Sequence, residues 1–205
     1  MNMIMGYPRS GNHWLRYCMA NAIKIPMNYC HGNTKQIWES YSKQKSILIL
    51  IVRNYKESIV RHGCHDFNTI KRQLLGISPI ERGCNGTDYM AILKMYDEYD
   101  DNKKHLVYFE DLILDVEKEL YRLAEFFKND NHNIKEFMEN IKKHVATSLE
   151  ICKTESQRGI TLGDKNKLIY HSNTLSKKLK LDLDSYLEQN HKHLFDKYLT
   201  RYKEK

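Results

Sequence analysis

Three short apolar segments stand out in a chain whose other segments mix hydrophobic and polar residues. They cover residues 3–5, 47–52 and 105–109. The middle segment, ILILIV, has no polar alternation, which is typical of a strand buried on both faces of a parallel sheet. We therefore predict three strands, of which the middle one is fully buried.

Apolar residues at helical spacing lie between and after these segments. They predict helices over residues 13–24, 55–65, 89–99 and 116–127. The last helix carries an apolar stripe formed by Leu120, Leu123, Ala124 and Phe127. The C-terminal third is also predicted to be helical, with a final helix and tail over 182–205 and the packing residues Leu183, Leu187 and Tyr198. Strands that alternate with helices predict an α/β fold with a central, mostly parallel sheet flanked by helices in three layers.

The composition is that of one globular domain. Hydrophobic residues make up 41% of the chain, and no repeat, low-complexity tract or linker divides residues 1–205. The longest aliphatic run, 47–52, is far shorter than the roughly 20 residues of a membrane helix, and no signal peptide is seen. We expect a soluble, cytoplasmic protein without a membrane span.

The five cysteines are odd in number and scattered. No CxxC pair is present, and the stretch 62–65 (HGCH) has no second ligand pair, so reduced thiols are expected rather than disulfides or zinc.

The net charge of +7 indicates an anionic partner such as nucleic acid, anionic lipid or a small polyphosphate ligand. The basic residues form no dense block and are not interleaved with aromatic residues, which argues against nucleic acid. Residues 203–205 are expected to be a solvated tail.

A phosphate-binding loop is predicted near the start of the chain. Residues 3–14, MIMGYPRSGNHW, form a strand, a glycine-containing turn and the start of a helix, where backbone N–H groups favour an anion. Gly6 and Gly11 match the GxxxxG half of a Walker A motif. Asn12 and His13 stand where an NTP-binding loop has Lys and Ser/Thr, so the usual γ-phosphate and magnesium ligands are missing.

Residues 8–14, PRSGNHW, resemble the 5'-phosphosulfate loop of sulfotransferases that use 3'-phosphoadenosine 5'-phosphosulfate (PAPS). The usual form of that loop is P-[KR]-S-G-[TN]-[TS]-W, and this chain differs from it only at His13. The resemblance implies a P-loop-like α/β domain, PAPS as donor, its product 3'-phosphoadenosine 5'-phosphate (PAP), and no metal cofactor. It also implies that the 5'-phosphosulfate is surrounded by Arg9, Ser10, Gly11, Asn12 and His13, with Trp14 near the adenine.

Two further segments resemble motifs of the same family. Residues 51–61, IVRNYKESIVR, resemble its 3'-phosphate motif, which implies that Arg53 pairs with the 3'-phosphate and that Ser58 or Arg61 contributes. Residues 107–112, VYFEDL, are similar to its YEDL segment, which implies that Phe109 closes over the base.

The last two matches lie in the C-terminal half. Residues 147–153, TSLEICK, and 157–164, QRGITLGD, resemble the family pair TSFxxMK and RKGxxGDWK. The resemblance implies that Thr147 and Leu149 border the adenine, and that the 3'-phosphate is also contacted by Gln157, Arg158 and Gly159. All these segments occur in the family's order.

Sulfuryl transfer needs donors aimed at the developing negative charge and a base near the acceptor. We assign the first task to Arg9 and the loop amides. For the base we select His31, in a loop predicted over 28–32, because its spacing to Arg53 is similar to that of the catalytic histidine in cytosolic sulfotransferases. His13 and Glu39 are the alternatives.

The acceptor is not identified by the sequence. A small molecule, a glycan or a tyrosine-containing peptide fits equally well, and residues 65–88 are predicted to form a lid over it, with 166–176 on another side. The oligomeric state is not indicated. Two other functions stay open: a P-loop nucleotide or small-molecule kinase, and a catalytically inert protein that binds nucleotide or nucleic acid.

Overall fold

The computed structural model describes residues 2–7, 10–30, 46–60, 65–75, 89–127, 136, 139–140, 143 and 174–204. Four parallel strands in these stretches form one sheet in the order β2-β1-β3-β4. They are β1 (Met3–Met5), β2 (Asn28–Cys30), β3 (Leu48–Val52) and β4 (Lys104–Tyr108). The α/β class and the parallel sheet predicted from the sequence are confirmed.

The strand β3 shows why its sequence is continuously apolar. All its residues are buried, because β1 and β4 pair with its two edges and a hydrophobic cluster covers each face. The strand β4 ends at Tyr108, one residue before the predicted end, since Phe109 already begins a helix. The loop predicted over 28–32 is wrong for Asn28–Cys30, which form the strand β2; their sequence, NYC, contains no aliphatic run.

The helices begin close to the predicted positions. Before β4 they are α1 (Asn12–Cys18), continued by a π-helix over Met19–Ile23, α2 (Tyr55–Val60), α3 (Phe67–Leu75) and α4 (Tyr89–Asp97). After β4 they are α5 (Phe109–Leu114), α6 (Val116–Phe126), α7 (Lys177–Asn190) and α8 (Lys192–Leu194), followed by a π-helix over Phe195–Leu199 and a 3-10 turn over Thr200–Tyr202.

The final long helix, α7, begins earlier than the predicted residue 182. Its start is set by Ser176, whose Oγ accepts a hydrogen bond from the backbone N–H of Leu179 at 3.2 Å.

The sheet separates two hydrophobic clusters, because alternate strand residues face opposite sides. One cluster joins Met3 and Leu50 to α2, α4 and α7, and the other joins Ile4 and Ile49 to α1, α5 and α6. The predicted packing residues are all buried: Leu120, Leu123, Ala124, Phe127, Leu183, Leu187 and Tyr198. Among the described helices, none has the length and apolar character needed to cross a membrane.

The solvated tail predicted at residues 203–205 is wrong for Glu204. Its carboxylate accepts a hydrogen bond from the buried Lys56 Nζ at 3.3 Å, and its backbone N–H donates to Asp184 Oδ2 at 2.8 Å. The sequence around Glu204 does not indicate these contacts, because Lys56 and Asp184 are distant from it in the chain.

His105, in β4, is a histidine whose protonation opposes folding. Its ring packs on Phe126 with the ring centroids 5.0 Å apart. Burial, assisted by the charge of Arg122, lowers the pKa of His105 from 6.5 to about 4. The folded state therefore favours the neutral imidazole, so this contribution to stability is complete above pH 6.5 and is lost as the pH falls toward 4.

We expect His105→Gln to reduce the loss of stability on acidification by about 1 to 3 kcal/mol. The measurement is the free energy of unfolding in urea, compared between about pH 7 and about pH 4.5. His65→Gln is the matched control, because His65 is exposed. If His105→Gln loses as much stability on acidification as the parent protein does, burial of His105 does not determine the acid response.

Candidate anion-binding site

The strand order places a topological switch point between β1 and β3. The chain leaves β1 toward β2 on one side, whereas β3 and β4 lie on the other side. Open parallel sheets bind ligands at such a switch point, beyond the carboxyl ends of the strands. The residues that follow β1, β3 and β4 at this edge are Gly6, Arg53 and Phe109.

The loop after β1 begins at a glycine that is required by close packing. A Cβ at Gly6 would lie 2.5 Å from Asn12 Oδ1 and 2.7 Å from the carbonyl oxygen of Ile51. Asn12 Nδ2 donates a hydrogen bond to the Gly6 carbonyl at 3.0 Å, and the Ser10 N–H donates to the Tyr7 carbonyl at 3.1 Å. These two hydrogen bonds join the residues at the start of the loop to those at its end.

The same loop ends at Gly11, which has a φ of 94°, in the left-handed region that glycine adopts without strain. A Cβ there would lie 2.7 Å from Cδ2 of Phe109. Gly11 is also the N-cap of α1 and supplies no side-chain oxygen to the first-turn amides, for which a bound anion is a suitable acceptor. The glycine therefore lets the loop approach both the aromatic ring and a ligand.

Arg53 lies directly after β3 and is 5% exposed. Its guanidinium carbon is 4.2 Å from the centroid of the Phe109 ring, a stacked cation–π geometry. The planar guanidinium group is well suited to pair with the oxygens of a phosphate or sulfate. Gly11 and Arg53 thus meet at one aromatic ring.

Tyr89, at the start of α4, connects the loops that follow β1 and β3. Its hydroxyl donates to the Arg53 carbonyl at 2.5 Å, and its ring centroid lies 5.4 Å from that of Tyr7. Burial, together with the nearby Glu110 carboxylate, raises the pKa of Tyr89 well above its ordinary value. The hydroxyl therefore stays protonated and continues to donate throughout the physiological pH range.

Asn54, the residue after Arg53, is fixed from both sides. Its N–H donates to Glu110 Oε1 at 3.0 Å, and its Oδ1 accepts from the N–H of Lys56 at 3.0 Å, which caps α2. The other oxygen of Glu110 accepts from the Tyr202 hydroxyl at 2.6 Å. Tyr89, Glu110 and Tyr202 were not predicted from the sequence, although Glu110 lies within the segment 107–112 that resembles a family motif.

Buried polar atoms without a hydrogen-bond partner among the described residues include Ser10 Oγ, Trp14 Nε1 and Ser58 Oγ. Buried donors of this kind are nearly always paired in proteins, so each marks a place for a further partner. The two hydroxyls belong to residues that sequence analysis assigned to anion binding. Trp14 lies in the hydrophobic cluster with Ile4 and Leu15.

The remaining predicted site residues are placed as follows. His13 is exposed on the first turn of α1. Outside the described residues lie Arg9, His31, Glu39, Arg61, Thr147, Leu149, Gln157, Arg158 and Gly159. Among the described candidates, the structure brings together Gly11, Arg53 and Phe109.

No protein-family model and no curated protein sequence matches this chain. Among solved structures, the chain is similar to mouse sulfotransferase SULT7A1 complexed with PAP, at 16% sequence identity and a TM-score of 0.66. The similarity covers 94% of this chain and 85% of that chain. At this low identity, the likeness establishes that the two chains share a fold.

Proposed function

We propose that this chain is a sulfotransferase that moves a sulfuryl group from PAPS to a hydroxyl or amine acceptor and leaves PAP. The observation that carries the proposal is the meeting of Gly11, Arg53 and Phe109 at the β1/β3 switch point. The shared fold with a protein solved in complex with PAP supports the same nucleotide here. The motif resemblances along the chain point to the same donor.

The described residues fit a nucleotide with an anionic group at each end. The loop through Ser10 and Gly11 is suited to the 5' end, and Arg53 with Ser58 to the 3'-phosphate. The hydroxyls of Ser10 and Ser58, which have no partner within the described part of the chain, support this assignment, because phosphate oxygens are good acceptors for them. Phe109, whose ring lies close to Gly11 and Arg53, would close over the base, as the resemblance of residues 107–112 implies.

Other assigned contacts remain proposals from the sequence. Arg9 would complete the 5' site, while the 3'-phosphate would also be met by Arg61, Gln157, Arg158 and Gly159. Trp14, Thr147 and Leu149 would border the adenine. The family resemblance implies no metal cofactor at this site.

PAPS, when bound, supplies an activated sulfuryl group. The chain contributes positive charge and donors at the atoms where negative charge grows, and we assign this role to Arg9 and the loop amides. It also contributes a proton acceptor for the attacking group, which we assign to His31 because imidazole titrates near neutral pH. His13 and Glu39 are the alternatives.

A kinase-type P-loop is disfavoured by the position of Asn12. In a Walker A loop, lysine stands at this position and reaches the β- and γ-phosphates. Here Asn12 is buried, and its amide donates back to the Gly6 carbonyl at 3.0 Å. The residue closes the loop rather than reaching outward.

Calorimetry with PAP and transfer assays with labelled PAPS test the proposed function. We expect PAP to bind without magnesium, and the label to move to at least one acceptor in a panel of phenols, glycans and tyrosine peptides. Magnesium-dependent ATP hydrolysis would support the kinase instead. Tight PAP binding with no transfer to any acceptor would support an inert nucleotide-binding protein.

The acceptor side is only partly described. Within the predicted lid over 65–88, residues 67–75 form α3, whose Ile70 and Leu74 are buried in the hydrophobic cluster. Residues 76–88 and 166–173 lie outside the described part of the chain. A small molecule, a glycan or a tyrosine-containing protein remains the proposed acceptor class.

A further inference from the structure

Lys56, three residues after Arg53, is a lysine whose charge is entirely buried. Its Nζ lies 2.9 and 2.8 Å from the two oxygens of Asp184 in α7, and it donates to the Tyr202 carbonyl at 2.7 Å. Glu204 Oε1 is a further acceptor at 3.3 Å. A buried ammonium group is stable only with such partners, so α2 is anchored to α7 and to residues 202–204.

Asp184 is the centre of this anchor. Besides Lys56, it accepts hydrogen bonds from the Tyr55 hydroxyl and from the Glu204 N–H. Tyr55 and Lys56 form the first turn of α2, so both ties act on the backbone directly after Arg53.

A second set of hydrogen bonds, through Glu110, holds Asn54, the residue directly before α2. The Tyr202 hydroxyl donates to Glu110 Oε2 at 2.6 Å, and Glu110 Oε1 accepts from the N–H of Asn54 at 3.0 Å. Asn54 is therefore fixed through Glu110, while Lys56 is fixed through Asp184, and residues 202–204 contribute to both.

We infer that Tyr202 and Glu204 are positioning residues, which hold the 53–56 turn so that the Arg53 guanidinium faces the 3'-phosphate. The inference rests on the proposed function, since it concerns the nucleotide of that site. Neither residue needs to touch the ligand. Because both act through Arg53, their loss should weaken recognition of the 3'-phosphate and leave the rest of the nucleotide unaffected.

The test compares two ligands, PAP and adenosine 5'-monophosphate, which lacks the 3'-phosphate. Tyr202→Phe keeps the ring but removes the hydrogen bond to Glu110. We expect its affinity for PAP to fall by about tenfold, since a hydrogen bond to a charged group is lost, while its affinity for the monophosphate stays unchanged. Adding Tyr202→Phe to Arg53→Ala should cause no further loss.

The matched control is Tyr198→Phe. It removes a tyrosine hydroxyl that donates a hydrogen bond of the same 2.6 Å length to Asp97, at the end of α4. It should leave both affinities unchanged. If Tyr202→Phe does not fold, Glu204→Gln replaces it, and the ratio of its affinities for PAP and for the monophosphate is compared with that of the parent protein. Its control is Glu98→Gln, because Glu98 pairs with Lys94 at the surface and not with residues 202–204.

Two results overturn the inference alone: a Tyr202→Phe protein that binds PAP as tightly as the parent protein, and equal weakening of PAP and the monophosphate, which would indicate a general structural effect. A parent protein that does not bind PAP at all would overturn the proposed function, and the positioning role with it.

Discussion

Arg53→Ala is expected to lower the affinity for PAP by about a hundredfold or more. A bidentate pair with a phosphate comprises two charge-assisted hydrogen bonds, together worth about 3 to 4 kcal/mol. The Arg53 side chain is already stacked on Phe109, and its carbonyl is held by Tyr89, so little ordering is needed on binding. Calorimetric titration with PAP measures the change directly.

Two variants make the Arg53 result interpretable. Arg53→Lys keeps the charge and loses the planar fork, so its affinity for PAP should lie between those of the parent protein and Arg53→Ala. Arg122→Ala removes an arginine that donates to both oxygens of Glu119 at 2.8 and 3.0 Å on α6, and it should bind PAP normally. Equal PAP affinity in Arg53→Ala and the parent protein would contradict the assigned 3'-phosphate site.

Local pattern predicted the elements that are buried on regular faces. The aliphatic run of β3 and the stripe on α6 follow the periodicity of strand and helix, and their burial confirms both. The strand β2 was missed because its residues, NYC, form no aliphatic run, unlike the equally short MIM of β1. The early start of α7 depends on the Ser176 cap, a short signal that an apolar periodicity does not include.

For the candidate site, the sequence predicted where the residues lie but not how they contact one another. Gly6, Gly11 and Arg53 follow strands, so both their spacing and their placement at one edge of a parallel sheet were available from the sequence. That Gly11 and Arg53 share the ring of Phe109 required the packed structure.

The residues that hold Arg53 were not predictable in the same way. Tyr89 is 36 positions from Arg53, and Tyr202 is 92 positions from Glu110. Contacts across such separations depend on the packing of α4 and the C-terminal segment against the sheet, and no local pattern encodes them. The ion pair of Lys56 with Asp184, 128 positions apart, was missed for the same reason.

The loop that carries Arg9 has fixed ends. Tyr7 is 2% exposed, Ser10 is fully buried, and the N–H of Ser10 donates to the Tyr7 carbonyl at 3.1 Å. In the sequence, Pro8 and Arg9 stand between these two positions. We propose that Arg9 supplies positive charge to the 5' site, where a preorganised cation would stabilise the transition state more than the ground state.

Arg9→Ala is therefore expected to lower kcat for sulfuryl transfer about a hundredfold or more and to retain measurable PAP binding. The reason is that negative charge on the bridging oxygen of the leaving phosphate is larger in the transition state than in bound PAPS, so a cation at this position stabilises the transition state more than the ground state. Transfer of label from PAPS gives kcat, and calorimetry gives the affinity for PAP. Arg16→Ala is the matched control, because it removes an exposed arginine from α1. Unchanged kcat in Arg9→Ala would remove this residue from the mechanism, and an equal loss of PAP affinity and kcat would make it a binding residue only.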